Sequence, residues 1–233
     1  MKKYLRLFWP VYLLTAAMVF FVVIAGSRAV TTVAENQPIL REKVIVIDAG
    51  HGGEDGGATS CSGILESQLN LGIALRLDAL LHLLGYETKM IRTSDVSIYT
   101  EGNTIAAKKV SDLHNRVKIV NETEDALLVS IHQNIFADSR YSGAQVFYNA
   151  VEGSKKLAQQ LQTAFVASIN PESNRKIKPS TGVYLMEHIQ KPGILVECGF
   201  LSCPEEEAKL RTGEYQRKIC CVIATSLAQY FSS

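Results

Sequence analysis

The sequence predicts a single α/β sandwich built on a mostly parallel, six-stranded sheet flanked by helices. Two observations predict it. Short apolar runs alternate along the chain with longer segments whose apolar residues recur every three or four positions. The first run, "KVIVID" at 43–48, is apolar without a polar alternation, as a strand covered on both faces should be.

The other elements follow in order. Leu69, Ile73, Leu77, Leu80 and Leu84 form a helical stripe that Gly85 stops. "YETKMI" (86–91) reads as the next strand, and Val110, Leu113, Val117 and Val120 mark a second helix. "ALLVSI" (126–131) is a third apolar strand, "AQVFYN" (144–149) an alternating one, and 154–168 a further helix. "GVYLM" (182–186) and "GILVE" (193–197) supply two more strands. Ser202 and Glu205, with Pro204 between them, predict a capping box opening a helix. A last helix spans 214–231. No internal repeat and no second folded domain stands out.

Composition bounds the function. The chain has 233 residues, 47% hydrophobic and 20% charged, with a net charge of +1. That is ordinary globular composition, and there is no basic field to attract nucleic acid. Lys2, Lys3 and Arg6 precede an uncharged stretch from Leu7 to Gly26, long enough to cross a bilayer, with Glu35 beyond it. Residues 1–27 therefore read as an N-in, C-out membrane anchor or as a cleaved signal peptide. Either predicts an exported domain at 43–233 behind a linker at 28–42. Five cysteines, an odd number with no CxxC, give no disulfide framework. Cys220 and Cys221 read as core and core-edge residues of the last helix.

The reactive residues gather at predicted element ends. His51 lies three residues past the first strand, His132 directly after "ALLVSI", and Glu197 closes "GILVE". Ligands collect beyond the carboxyl ends of strands in such sheets. Glu66 opens the stripe helix, and the glycine-rich "GHGGEDGG" would let a loop fold round His51 and bring Glu66 back to it. Two histidines and a carboxylate can hold a catalytic zinc with a fourth position open to water, leaving Glu197 to move protons. Polar loop residues with no metal remain an equal reading on spacing alone. His82, His114 and His188 read as surface or helix-edge residues. Asp48 fits either a structural role or one orienting a ligand.

Four stretches, "VIDAGHGGEDGG", "LESQLNL", "VSIHQN" and "ILVECGFLS", resemble the motif blocks of the zinc-dependent N-acetylmuramoyl-L-alanine amidases of bacterial cell walls, in the same order. The resemblance runs from Lys43 to the C-terminus. It implies an α/β sandwich, one zinc held by His51, Glu66 and His132, and Glu197 as catalytic acid/base. It also implies hydrolysis of the amide between the muramic acid lactyl group and L-alanine in peptidoglycan. "EGNTIAAKKVSDLHNRVKIVN", "SGAQVFYN" and "GVYLMEHIQKPGILVECGF" resemble the germination-specific branch of spore-formers, which implies work in spore cortex toward muramic-δ-lactam. Cys198 and Cys203 depart from that pattern, neither at a ligand position. Arg92 and Arg116 are candidates for binding peptide carboxylates or oxyanions, with ordinary surface or helix-edge roles an equal reading, and Asn134 for a hydrogen bond to substrate. Regulation would come from a partner protein or from zinc loading, and tethering from residues 1–27. A zinc peptidase trimming the stem peptide and a non-catalytic wall-binding protein are the rival readings.

Overall fold

The computed structural model describes residues 43–233; the leader and linker expected at 1–42 lie outside them. In chain order the elements are β1 (Val44–Ala49), α1 (Glu66–Leu83), β2 (Glu87–Met90), α2 (Ile105–Glu122), β3 (Ala126–Asn134), β4 (Gln145–Tyr148), α3 (Ser154–Ser168), β5 (Lys178–Pro179), α4 (Tyr184–His188), β6 (Gly193–Phe200), α5 (Pro204–Leu210) and α6 (Gly213–Phe231). The strands form one sheet in the order β2-β1-β3-β6-β4-β5. Every neighbouring pair is parallel except β4 with β6. Among the described residues no helix is long and apolar enough to cross a membrane.

The strand period of two sorts side chains into two cores. Ile45, Ile47, Val129, Ile131, Ile194 and Val196 face α1, α3 and α6, where Ile73, Leu77, Phe165, Ile219 and Ile223 are fully buried. Val46, Leu128 and Leu195 face the opposite way, toward Val120 of α2 and Leu185, Met186 and Ile189 around α4. The same parity, carried toward the strand ends, puts Asp48, Ser130, His132 and Glu197 on the α2 face. In register, His132 is opposite Glu197, and Glu197 is opposite Gln145. One row across β3, β6 and β4 therefore holds His132, Glu197 and Gln145 on one face.

The structure corrects four local expectations. In α1 the buried stripe runs Leu69, Ile73, Leu77, Leu81, in steps of four; Leu84 lies beyond the helix and is 45% exposed. "GVYLM" is not a strand: 184–188 form the short helix α4, which sinks Leu185 and Met186 into the second core. So short an apolar run has no period to distinguish the two. The sixth strand is instead Lys178–Pro179, which pairs with β4. Ser202 does not cap α5. Cys203 occupies the N-cap without a side-chain bond, and the Ser202 hydroxyl accepts from the Phe136 N–H. The buried face of α2 is Ser111, Asp112, Arg116 and Val120, while Val110 is exposed. That helix packs a polar face toward the loop carrying His51.

Candidate metal centre and active site

The glycine loop answers a packing demand. Gly50 donates to Ile131 O at 3.0 Å, extending the β1–β3 pairing by one residue. The His132 ring lies directly over it, and a Cβ at Gly50 would come within 2.1 Å of the ring Nε2. At Gly57, with φ +69°, a Cβ would meet both Glu66 Oε2 and His51 Cδ2 at 2.7 Å. Two ligand-type side chains occupy the space that side chains on the loop would take. His51 itself has φ 62°, an uncommon backbone for a non-glycine residue. Such strain persists where the surroundings over-determine it, often at functional sites.

The side chains converge. His51 Nε2 lies 3.3 Å from Glu66 Oε2, and His132 Nδ1 lies 3.0 Å from Glu66 Oε1. One ligand atom from each of the three residues lies within 4.8 Å of the others. Among the described residues this is the one such group. The donor set fits a tetrahedral divalent ion with ligands at about 2.0–2.2 Å, which would part such atoms by roughly 3.3 Å. His51 and Glu66 are oriented from behind. Asp55 Oδ2 faces His51 Nδ1 at 3.0 Å, so a proton held there leaves the Nε2 lone pair toward the centre. Lys109 in turn holds Asp55 at 3.1 Å. The Glu66 carboxylate accepts from the N–H groups of Ala58 and Gln133 and from the Asn70 amide.

Without a cation, hydrogen bonds set the charge of His51 and Glu66. Burial disfavours the His51 imidazolium, but hydrogen bonds to Asp55 and Glu66 outweigh it and raise the pKa to about 9. Burial likewise opposes the Glu66 carboxylate, and the two histidines overcome it, holding the acid well below the usual carboxylate range. Glu197 goes the other way. Burial lifts it to about 7; His132 and His51 pull down and Glu66 pushes up. Its Oε2 is inaccessible and has no hydrogen-bond partner. A carboxyl oxygen left bare beside three ligand-type side chains is poised to take and return a proton.

Two expected substrate-binding residues are corrected. Arg92, 3% exposed, spends its guanidinium on the carbonyls of Ala49, Gly50, Ser67 and Ser94. Arg116 is equally buried and is bound by Asp48, by Asp112 and by the carbonyls of Ala49 and His51. Both brace the backbone of the glycine loop and have no face left for a ligand. Asp48 belongs to this brace, with Ser130 as its second donor at 2.6 Å. Asn134 ends β3 past a register irregularity, part-buried, with its carbonyl tied to Leu201 N. His82 pairs with Asp78 and Thr88, and His114 and His188 stack around Tyr184. Burial pushes the Cys198 thiol far up. Sequence reasoning missed Asp55, although its place four residues past His51 was visible, and Asn70, whose amide bridges Gly50 O and Glu66.

Comparison with known proteins agrees with this geometry. The chain is 37% identical over 195 residues to the germination-specific N-acetylmuramoyl-L-alanine amidase of Bacillus subtilis (strain 168), covering 83% of this chain and 81% of that one. Its fold is similar to the CwlD amidase of Clostridioides difficile, solved in complex with the GerS lipoprotein (TM-score 0.78, 36% identity, 82% of this chain and 98% of that one). It is also similar to an N-acetylmuramoyl-L-alanine amidase of Clostridium difficile 630 (TM-score 0.71, 30% identity, 82% and 97%). Residues 45–229 match the family described as N-acetylmuramoyl-L-alanine amidase, and the chain belongs to that family.

Proposed function

We propose that this chain is a zinc-dependent N-acetylmuramoyl-L-alanine amidase acting on spore-cortex peptidoglycan, with His51, Glu66 and His132 as metal ligands and Glu197 as catalytic acid/base. The observation that carries the reading is the bare Glu197 Oε2 beside the two-histidine, one-carboxylate set. Zinc, when bound, supplies a Lewis acid that acidifies water and polarises the scissile carbonyl. Glu197 removes the proton of the attacking water. It then delivers that proton to the L-alanine nitrogen as the carbon–nitrogen bond breaks. Burial raises its hold on a proton, which suits the return step. Asp55 and the Arg92 and Arg116 braces hold the ligands still through the cycle. Asn134, at the end of β3, would hydrogen-bond substrate.

The test is product analysis. Zinc-loaded protein should release from peptidoglycan a stem peptide with an unblocked L-alanine N-terminus. Trimming of the stem peptide, with the lactyl amide intact, would favour a zinc peptidase instead. The germination-specific relative supports the cortex role, which predicts that spores lacking this chain are depleted of muramic-δ-lactam. The complex of CwlD with a lipoprotein supports a protein partner for this chain too. Residues 1–27 would tether the domain to the outer face of a membrane. A chain starting at Pro38 should then leave the membrane fraction.

A further inference from the structure

Beyond the β4 edge of the site lies a groove of about 460 Å³ that includes Tyr141, Gly143, Asn170, Glu172 and Arg175 in its walls. Arg175 ties this wall to the reactive row. Gln145 is the register partner of Glu197, and Arg175 Nη1 donates to Gln145 Oε1 at 3.3 Å. One buried glutamine therefore separates Arg175 from Glu197. The guanidinium carbon lies over two aromatic rings, 4.4 Å from the Phe200 ring centroid and 5.9 Å from that of Tyr141. Its Nε donates to Ser142 O at 2.8 Å.

Charge sets Arg175 apart from its neighbours. Arg140, on the same groove, is committed to Asp138 through three bonds. Glu206, the acid nearest behind Arg175, is committed to the N–H groups of Gly143 and Phe200. Arg175 makes no ion pair among the described residues, and its Nη2 has no hydrogen-bond partner there. A fixed, part-buried guanidinium with a spare edge is a carboxylate receptor. Such a receptor suits an amidase: the stem peptide must lie out from Glu197 on one side, and that peptide carries free carboxylates.

We propose that Arg175, backed by Tyr141 and Phe200, forms a subsite for a carboxylate of the stem peptide on the β4 side of Glu197. The subsite would make the enzyme select acidic stem peptides over amidated ones. The inference rests on the amidase reading, and the test separates the two. Full-length, zinc-loaded protein in mild detergent would be assayed on a muropeptide with free stem carboxylates and on its amidated counterpart. Wild type should show a KM lower by about tenfold or more on the free acid, the scale of a charged hydrogen bond. Arg175→Gln should raise KM for the free acid and bring the ratio near one. Arg175→Lys, which keeps the charge and loses the fork, should hold an intermediate ratio. A wild-type ratio retained in Arg175→Gln would overturn the subsite, as would equal KM values for wild type. Should the glutamine variant not fold, an equal loss on both substrates in Arg175→Lys would mark Arg175 as structural and overturn it as well. Cleavage of neither substrate at the lactyl amide by wild type would instead bring down the amidase reading.

Discussion

Two glutamates occupy the same pocket and are held in opposite ways. The Glu66 corner, where the glycine loop meets α1, gives its carboxylate three N–H donors and two imidazoles. The Glu197 corner, on β6, gives one of its oxygens nothing. Burial acts on both, yet Glu66 is drawn down and Glu197 is driven up to about 7. The donors make the difference, since hydrogen bonds to the charged form offset desolvation. One acid is thereby kept as an anion fit to hold a cation. The other is kept able to change protonation state near neutral pH, a separation on which the proposed roles of ligand and proton carrier rest.

The comparison breaks most severely at the ligand corner. Glu66→Ala removes a ligand and leaves three N–H groups without their acceptor. Bound zinc should fall from one ion per chain to near none, and turnover should fall to background. Metal analysis of the purified variant checks this; retained zinc would mean Glu66 is no ligand. The next effect is on Glu197. Glu197→Gln keeps shape and cannot carry the proton, so turnover should fall roughly 10²–10⁴-fold. Zinc should stay bound. Activity within a few-fold of wild type would remove Glu197 from the chemistry.

The ligand corner was the more legible in the sequence. His51, Glu66 and His132 sit at element ends that apolar periodicity could locate, and the strand-end rule gathers them on one rim. Their assignment as a metal set still needed the motif resemblance, since their spacing is not compact. The supporting shell was harder. Arg92 and Arg116 read as free cations because nothing local marks a buried arginine. What buries them is a set of backbone carbonyls, in the glycine loop and around it, that only the folded chain brings together. The α4 segment and the α5 cap failed for a related reason. Five apolar residues carry no period, and Ser202 spends its hydroxyl on a distant N–H rather than on its own helix. Arg175 drew no notice at all, as its stacking partners come from two separate segments.

A milder change probes how the ligand corner is held. Asp55 touches no other member of the metal set, only the far nitrogen of His51. Asp55→Asn keeps the size and removes the charge that fixes the ring. Zinc affinity should drop about 10–100-fold. Competition with a chelator of known affinity measures this. An unchanged affinity would show that the strained backbone at His51 suffices to aim the ring.

The smallest effect is on stability, and it should differ in sign between the two corners. Consider the metal-free protein. Glu197 binds its proton more tightly when folded, near 7, than when unfolded, near the ordinary 4.5. Between those values the folded state holds more protons, so unfolding free energy falls as pH rises through the window. The penalty is absent below about 4.5 and complete above about 7, where it amounts to at most about 3 kcal/mol. Glu197→Gln carries no such charge. It should match wild type at pH 4.5 and exceed it at pH 8. Glu66 reverses the sign. Its proton affinity is depressed in the folded state, so its carboxylate stabilises the protein above the ordinary carboxylate range and ceases to do so as pH falls through the folded value. Glu66→Gln should therefore be less stable than wild type at pH 8, with the gap closing in acid. Urea denaturation of chelator-treated protein at pH 4.5 and 8 reads Glu197→Gln, while Glu66→Gln is read at pH 8, since its gap closes only in stronger acid. A Glu197→Gln protein no more stable than wild type at pH 8 would mean that the Glu197 carboxylate has a donor in solution, and that the two corners are held alike.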